Sequence, residues 1–140
     1  MSERISWSIN VQVAGGPKLS LARSVEVQAY DRVLAEIPYS VSVTVDVEVQ
    51  PASDASQVKC LLLTSDRYDP KLTFDVSDDT GSVEAASDVA LDQPLLLCGE
   101  GAIGLLGVAP KKLIFKNEMA SEETANVTII VGRMTAPATP

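Results

Sequence analysis

The stretch YSVSVTVDVEVQP, residues 39–51, decides the fold class because valines and polar residues alternate through it. Valine occupies every second position from Val41 to Val49, and serine, threonine, aspartate and glutamate lie between them. Successive side chains of a strand point to opposite faces, whereas a helix would spread these valines around its circumference. The pattern predicts a β-strand with one apolar and one polar face.

Similar signals recur on both sides of this stretch. Residues 5–13 alternate in the same way and end at a turn, and residues 19–29 resume the alternation until Tyr30-Asp31-Arg32 breaks it. Residues 82–92 are ambiguous between one bent strand and two short ones, and a helical turn is expected only near residues 118–124. Later strands are expected at VKCLLLT (58–64), KLTFDV (71–76), LLLC (95–98), KLIFKN (112–117) and NVTIIVG (126–132).

Eight or nine short strands without crossover helices predict an all-β fold. The expected architecture is an antiparallel β-sandwich, and the strand count fits a jelly roll best. A chain of 140 residues suits one domain, which we place at residues 1–133. Residues 134–140 carry two prolines and no apolar pattern, so they are interpreted as an extended C-terminal arm.

Charge and residue content argue against several classes of function. The chain has a net charge of −8 and contains no histidine. An acidic surface is repelled by phosphate backbones, and a chain without histidine lacks the usual general base and the commonest metal ligand. We therefore expect no nucleic-acid binding, no enzyme activity, no cofactor and no metal site. The sequence also shows no run of about 20 apolar residues and no secretion leader, which predicts synthesis in a cytoplasm and no membrane partner.

Three glycines, Gly99, Gly101 and Gly104, follow an apolar run in the G-x-G-x-x-G spacing of a dinucleotide-binding turn. Such a turn needs a helix that opens at its third glycine and holds the pyrophosphate at its N-terminus. Gly107 and Pro110 follow too closely for that helix. We interpret the motif as a glycine-rich connection whose apolar members are tucked under the sandwich or against a neighbouring chain; these are Ile103, Leu105, Leu106 and Val108.

Two other groups of residues are candidates for chemistry. Aspartates cluster in two places, at Asp66 and Asp69 and at Asp75, Asp78 and Asp79. A glycosidase would hold two carboxylates roughly 5–10 Å apart, but loop aspartates more often form turns by accepting backbone hydrogen bonds. Calcium binding by these loops stays open. Cys60 and Cys98 lie in apolar runs and are interpreted as two small buried hydrophobes; sequence leaves a disulfide between them open.

The opening ISWSINVQVAGGP (5–17) and the closing NVTIIVGRMTAPATP (126–140) belong to a histidine-free, acidic, valine-rich chain. In this layout the chain resembles the capsid cement, or decoration, proteins of tailed bacteriophages, in particular short-tailed ones. The resemblance implies a virion structural protein, made in the host cytoplasm, that binds the exterior of an icosahedral capsid. Its partner would be the major capsid protein, whose neighbouring subunits it would clamp, and it would self-associate, as a homodimer.

The first strand and the C-terminal arm are the hypothesised subunit contacts. The residues chosen there are Ile5, Trp7, Ile9, Arg133, Met134 and Pro137. The alternative function is a carbohydrate- or receptor-binding β-sandwich module of a phage tail fibre or baseplate, although the aromatic platforms of such sites are scarce in this chain. A small hydrolase using Asp66 or Asp69 is the third hypothesis.

Overall fold

A computed structural model describes residues 3–49, 58–78 and 85–134, and over these ranges the chain is all-β. Ten strands and one helix of five residues are present there. In chain order they are β1 (Glu3–Gln12), β2 (Lys18–Val27), β3 (Ala29–Ile37), β4 (Val45–Glu48), β5 (Val58–Ser65), β6 (Asp69–Ser77), β7 (Val89–Leu91), β8 (Leu95–Cys98), α1 (Glu100–Gly104), β9 (Lys112–Asn117) and β10 (Ala125–Arg133).

Strands β3 to β10 form two four-stranded sheets, with the orders β3-β10-β5-β8 and β4-β9-β6-β7. All of their pairings are antiparallel, and four of them are nested: β3 with β10, β4 with β9, β5 with β8, and β6 with β7. Strands β3 to β10 are thus organised as one long hairpin. Its successive strand pairs belong alternately to the first and to the second sheet. Strands β1 and β2 form a separate two-stranded sheet.

A single apolar core is shared by the two four-stranded sheets. The first sheet supplies Leu61 and Ile129, and the second supplies Leu113, Phe74 and Phe115, all fully buried. The two phenylalanines lie opposite each other on β6 and β9, with ring centroids 5.7 Å apart. Full burial of one such side chain contributes about 1.5–3 kcal/mol, so these rows of alternate residues hold the two sheets together.

One polar side chain, Asn117, is fully buried at the end of β9. Its Nδ2 donates to the carbonyl oxygens of Ile37 at 2.9 Å and Glu123 at 2.8 Å, and its Oδ1 accepts from the Met119 amide at 3.1 Å. A buried amide satisfied in this way does not carry the cost of an unpaired polar group. Asn117 therefore fixes the end of β3 and the turn that leads into β10.

The stretch that predicted the clearest strand is a strand over only part of its length. The structure has β4 at Val45–Glu48, whereas Val41 and Val43 lie outside it and are 73% and 61% exposed. The Ser40 hydroxyl accepts hydrogen bonds from the backbone amides of Ser42 at 3.2 Å and Val43 at 3.0 Å. This local turn competes with strand pairing, and the strand begins only after it.

Two further expectations differ from the structure, and one ambiguous stretch is described in part. Ala29–Ile37 forms β3, although Tyr30-Asp31-Arg32 breaks the alternation in sequence. The expected helical turn near residues 118–124 is not a helix, and the ambiguous residues contain the short strand Val89–Leu91. With these changes the described ranges hold ten strands, not eight or nine.

A helix does occur in the glycine motif, but not as a dinucleotide turn requires. Gly99 adopts a positive φ of 96°, α1 then starts at Glu100, and it ends at the third glycine instead of opening there. Ile103 and Leu106 are buried in the core and Val108 packs against it, whereas Leu105 is 78% exposed, so for this residue only contact with a neighbouring chain stays a prediction. The one helix of the described ranges, α1, is not long and apolar enough to span a membrane.

The two cysteines are joined. Cys60 on β5 and Cys98 on β8 lie opposite each other in the strand register and form a disulfide. The interpretation as two separate buried thiols is therefore wrong, although Cys60 is buried as expected. The bond ties β8, one of the two outermost strands of its sheet, to β5.

Candidate functional site

The largest group of exposed apolar side chains in the described structure lies on the hairpin formed by β1 and β2. The two strands pair without a break from Glu3 opposite Val27 to Gln12 opposite Lys18. The connecting turn is closed by a hydrogen bond from the Gly16 amide to the Val13 carbonyl at 2.7 Å. Gly15 has a φ of 70°, which glycine adopts without strain, so the turn sequence fits this hairpin.

The hairpin has two unlike faces, because directly opposed residues of an antiparallel pair share a face. One face is polar and includes the pair Asn10 and Ser20, whose side chains hydrogen-bond at 2.7 Å. The other, which we term the hairpin face, is apolar except for Arg23 and for Glu3 at its base. Its cross-strand pairs are Ile5 with Val25, Trp7 with Arg23, Ile9 with Leu21, and Val11 with Leu19.

Exposure of this apolar surface rises from the base of the hairpin to its tip. Ile9 and Leu21 are 37% and 38% exposed, and farther out Val11 and Leu19 reach 50% and 58%. Val13, in the turn, is 57% exposed. Isolated exposed hydrophobic residues are ordinary, but a continuous row of them on one sheet face is typical of an interaction surface.

The base of the hairpin is anchored on the outer face of the first four-stranded sheet. Val27 is fully buried there, and the Gln28 amide donates to the Arg133 carbonyl at 3.0 Å. A Cβ on Gly132 would come within 2.5 Å of Ile5 Cδ1 and 2.9 Å of Val27 Cγ1. Glycine at position 132 therefore lets the hairpin lie directly against β10.

The residues chosen from sequence as subunit contacts fall into three groups. Ile5, Trp7 and Ile9 share the hairpin face, with Ile5 at its anchored base. Arg133 ends β10 and pairs with Asp31, and Met134 follows it, half-buried. Pro137 and the rest of the predicted arm beyond Met134 lie outside the described residues.

Sequence reasoning did not select the residues that expose the most apolar surface on the hairpin: Val11, Val13, Leu19 and Leu21. A signal for them was present. Residues 5–13 and 19–27 alternate with the same period and are separated by a glycine-containing turn, which is typical of a β-hairpin. That pattern identifies the shared face, but not whether another element covers it.

A shallow depression of about 440 Å³ runs along the middle of the hairpin. It is lined by Trp7, Arg23, Ala22 and three serines, Ser6, Ser8 and Ser24. The serines lie on the polar face, whereas Trp7 and Arg23 oppose each other on the hairpin face, where the indole provides a flat apolar surface and the guanidinium provides hydrogen-bond donors. This arrangement can bind a polar ring or a protein side chain.

The aspartates considered for catalysis have structural partners. Asp66 accepts from the Asn126 amide at 2.8 Å and from its side-chain Nδ2 at 2.9 Å. These bonds, led by the backbone one, lower the pKa of the Asp66 carboxyl below its ordinary value. Asp69 Oδ1 accepts from the Lys71 amide at 2.8 Å, and Asp75 Oδ1 from the Asp88 amide at 2.7 Å. Asp66 follows β5, Asp69 begins β6 and Asp75 lies within it, and each carboxylate has a structural role as the acceptor of a backbone amide hydrogen bond.

Asp78 belongs to the described residues and Asp79 does not. Within the described ranges, no group of three or more His, Cys, Asp and Glu side chains is placed to hold a metal ion.

A second depression, of about 420 Å³, lies beside α1. Its walls include Val58, Ile103 and Val108, and the Lys59 ammonium lies 3.4 Å from the Glu100 carboxylate there. The depression therefore has mostly apolar walls and one ion pair. That combination suits packing against a neighbour better than it suits proton transfer.

Comparison with protein-family models, with curated proteins and with solved structures finds no match for the chain.

Proposed function

We propose that this chain is a cement, or decoration, protein that binds the outside of an icosahedral capsid and clamps neighbouring major capsid subunits. The observation that carries the proposal is the hairpin face, a continuous apolar surface that becomes more exposed toward the tip. A two-stranded hairpin is only marginally stable by itself. A partner that covers the hairpin face would therefore stabilise the hairpin as well as form the complex. The anchored base would hold the hairpin in place for docking.

Energetics favour a role that depends on many copies. Covering the remaining apolar area of side chains such as Val11 or Leu19 contributes about 1 kcal/mol each. Such a surface gives modest affinity for each subunit, and a shell presents many equivalent sites. Reinforcement then follows from mass action, because protein that binds only the intact shell stabilises it against rupture.

The charge distribution is consistent with a protein partner. The chain carries 11 Lys and Arg against 19 Asp and Glu. Electrostatic attraction would steer this acidic protein toward a basic patch on a shell, whereas packaged nucleic acid would repel it.

We also propose that the two four-stranded sheets form a jelly-roll sandwich. The supporting observations are the nested antiparallel pairs and the shared core. Rolling one long hairpin into two facing sheets produces the double Greek-key order of a jelly roll. An experimental structure would test this proposal, and two sheets whose inner faces do not meet would contradict it.

The most direct test of the cement function is purification from the native source. On a density gradient the protein should sediment with large particles and not at the position expected for 14.8 kDa. Particles stripped of the protein should bind the recombinant chain again and then resist heating better. A protein found free of particles, and unable to bind stripped ones, would contradict the cement function.

A matched pair of variants locates the binding surface. Val11→Ser combined with Leu19→Ser removes one cross-strand pair near the exposed end of the hairpin face, and should weaken binding to stripped particles about tenfold or more. Leu105→Ser, at a highly exposed leucine outside the hairpin, is the control and should bind as the wild type does. Equal binding by all three proteins would place the capsid contact elsewhere.

The alternative is a carbohydrate- or receptor-binding module, and one observation favours it: Trp7 and Arg23 lie opposite each other on the hairpin face. A glycan array separates the two functions. Micromolar binding of a glycan that is lost in Trp7→Ala would support the module, and a blank array together with sedimentation on particles would support cement.

A further inference from the structure

The longest free strand edge of the two four-stranded sheets belongs to β3. It has nine residues, whereas the other outermost strands, β8, β4 and β7, have four, four and three. Short outer strands offer little backbone for pairing, but a long one presents a row of unpaired N–H and C=O groups that another strand can bind. β3 is therefore the edge most open to strand addition.

A second copy of β3 fits this edge in one symmetric register. When two copies lie antiparallel about a two-fold axis at Leu34, each Leu34 faces its counterpart. Arg32 of each copy then lies opposite Glu36 of the other, so the axis creates two oppositely charged pairs. All three side chains lie on the outer, exposed face of the sheet, where directly opposed residues are in contact range.

Neighbouring registers that keep the inner faces of the two sheets aligned lack this complementarity. An axis at Arg32 opposes the two arginines, and an axis at Glu36 opposes the two glutamates. Axes at Val33 or Ala35 place one charged residue opposite Leu34 and leave the other without an opposite charge. Of these registers, only the one with its axis at Leu34 places each Arg32 opposite a Glu36. The β3 edge is therefore self-complementary in that register.

The side chains concerned are available. Leu34 is 69% exposed. Within the described ranges, neither Arg32 nor Glu36 forms an ion pair with another residue. The hairpin base packs against Gly132 on β10, and β2 also contacts β5; both strands lie on the paired side of β3, so these contacts leave the other edge open.

We propose that two copies of this chain associate through β3, in the antiparallel register that pairs Arg32 with Glu36 across a two-fold axis at Leu34. The inference rests on the proposed cement function, for which the resemblance implies self-association, and names the surface for it. Two four-stranded sheets become one continuous eight-stranded sheet, as in other strand-addition complexes. The dimer carries two hairpins, and so gains avidity on a shell that presents two sites within reach.

The affinity of such a dimer is limited by its size. One pair of edge strands covers less surface than a standard stable interface, so the dissociation constant should be roughly micromolar. Analytical ultracentrifugation across that concentration range should therefore show a monomer–dimer equilibrium.

Charge reversal tests the register. Arg32→Glu creates two Glu–Glu pairs and Glu36→Arg creates two Arg–Arg pairs, so each variant alone should dimerise about tenfold or more weakly. An equimolar mixture of the two should regain dimers, because each glutamate then faces an arginine. Lys71→Glu, on β6 of the other sheet, is the control and should dimerise normally. Dimers that survive both reversals, or a mixture that stays monomeric, would overturn the proposed register.

Cross-linking gives a second, independent measurement. Leu34→Cys should form an intermolecular disulfide on mild oxidation, since the two residues face each other across the axis. Arg32→Cys should not, because its counterpart lies four residues away along the partner strand. Efficient cross-linking at 32 and none at 34 would contradict the axis.

These results are separable from the capsid proposal. A monomer that still binds stripped particles would overturn the β3 interface and leave the cement function standing. A charge-dependent dimer that ignores particles would do the reverse.

Discussion

The hairpin and the two four-stranded sheets use the same alternation of apolar and polar residues, but they bury it differently. In the sheets, alternate residues such as Phe115 and Leu113 are fully buried, whereas in the hairpin the corresponding Val11 and Leu19 are about half exposed. The difference is one of partners: each four-stranded sheet contributes to a common core, and the hairpin touches the rest of the described chain at its base. Alternation thus specifies a face, and the surroundings decide whether that face stabilises the fold or remains available for binding.

The largest contrast should appear on truncating one apolar side chain in each region. Phe115→Ala should lower the free energy of unfolding by about 3–5 kcal/mol, because it leaves a cavity beside Phe74. Val11→Ala should change it by less than about 0.5 kcal/mol, as expected at an exposed position. Urea denaturation measures both. A comparable loss in the two variants would show that the hairpin belongs to the core in solution.

Loss of the disulfide should destabilise the first four-stranded sheet without affecting the hairpin. Cys60 and Cys98 are 38 residues apart in sequence, and removing such a cross-link typically costs about 2–4 kcal/mol. Reduction of the wild type should therefore lower its midpoint of unfolding, and the Cys60→Ala/Cys98→Ala variant should not respond to reductant. Hairpin-dependent particle binding should persist in that variant. Free thiols in the purified, unreduced protein would contradict the cross-link.

A smaller effect is expected where the two regions meet. Gly132→Ala should destabilise the protein by about 1–3 kcal/mol, because its methyl group meets Ile5 and Val27. Hydrogen exchange should accelerate in β1 and β2 more than in β5. Gly101→Ala, where an added Cβ meets nothing within 4 Å, is the matched control and should not destabilise the protein. Unchanged exchange in the hairpin of Gly132→Ala would show that the base is not docked.

The smallest effect concerns an exposed carboxylate that joins the loop after β5 to the start of β10. The hydrogen bonds from Asn126 lower the folded-state pKa of Asp66 below the ordinary value of 3.8. The stabilisation by Asp66 is therefore complete above the unfolded-state pKa and is lost as the pH falls through the lower folded-state pKa. The thermal midpoint of the wild type should fall more steeply below about pH 4 than that of Asp66→Asn. Parallel curves would mean that this contact is absent in solution.

Sequence patterns predicted the all-β class and most central strands, since β5, β6, β9 and β10 carry strong apolar signals with few competing interactions. The failures have local causes. Val41 and Val43 alternate like strand residues, but the Ser40 hydroxyl accepts hydrogen bonds from the backbone amides of Ser42 and Val43, and the chain forms a turn there. β3 was missed because Asp31 interrupts its apolar row, and in the structure that aspartate is paired with Arg133 from the neighbouring strand.

For the candidate site, periodicity identified the face that contains Ile5, Trp7 and Ile9. It could not rank those residues against Val11 and Leu19, because exposure depends on which elements lie nearby in three dimensions. The β3 edge was out of reach for the same reason. Arg32 and Glu36 become complementary only once β3 is known to be the outermost strand of its sheet.

The place of β10 in its sheet affects how the protein is made. β10 lies between β3 and β5, yet it is the last of the described strands to leave a ribosome. β3 and β5 must therefore wait for their common neighbour, and contacts so distant in sequence make folding slow. The β1–β2 hairpin, closed by a short turn, is free to form early, so its apolar face is exposed to other nascent chains throughout that delay.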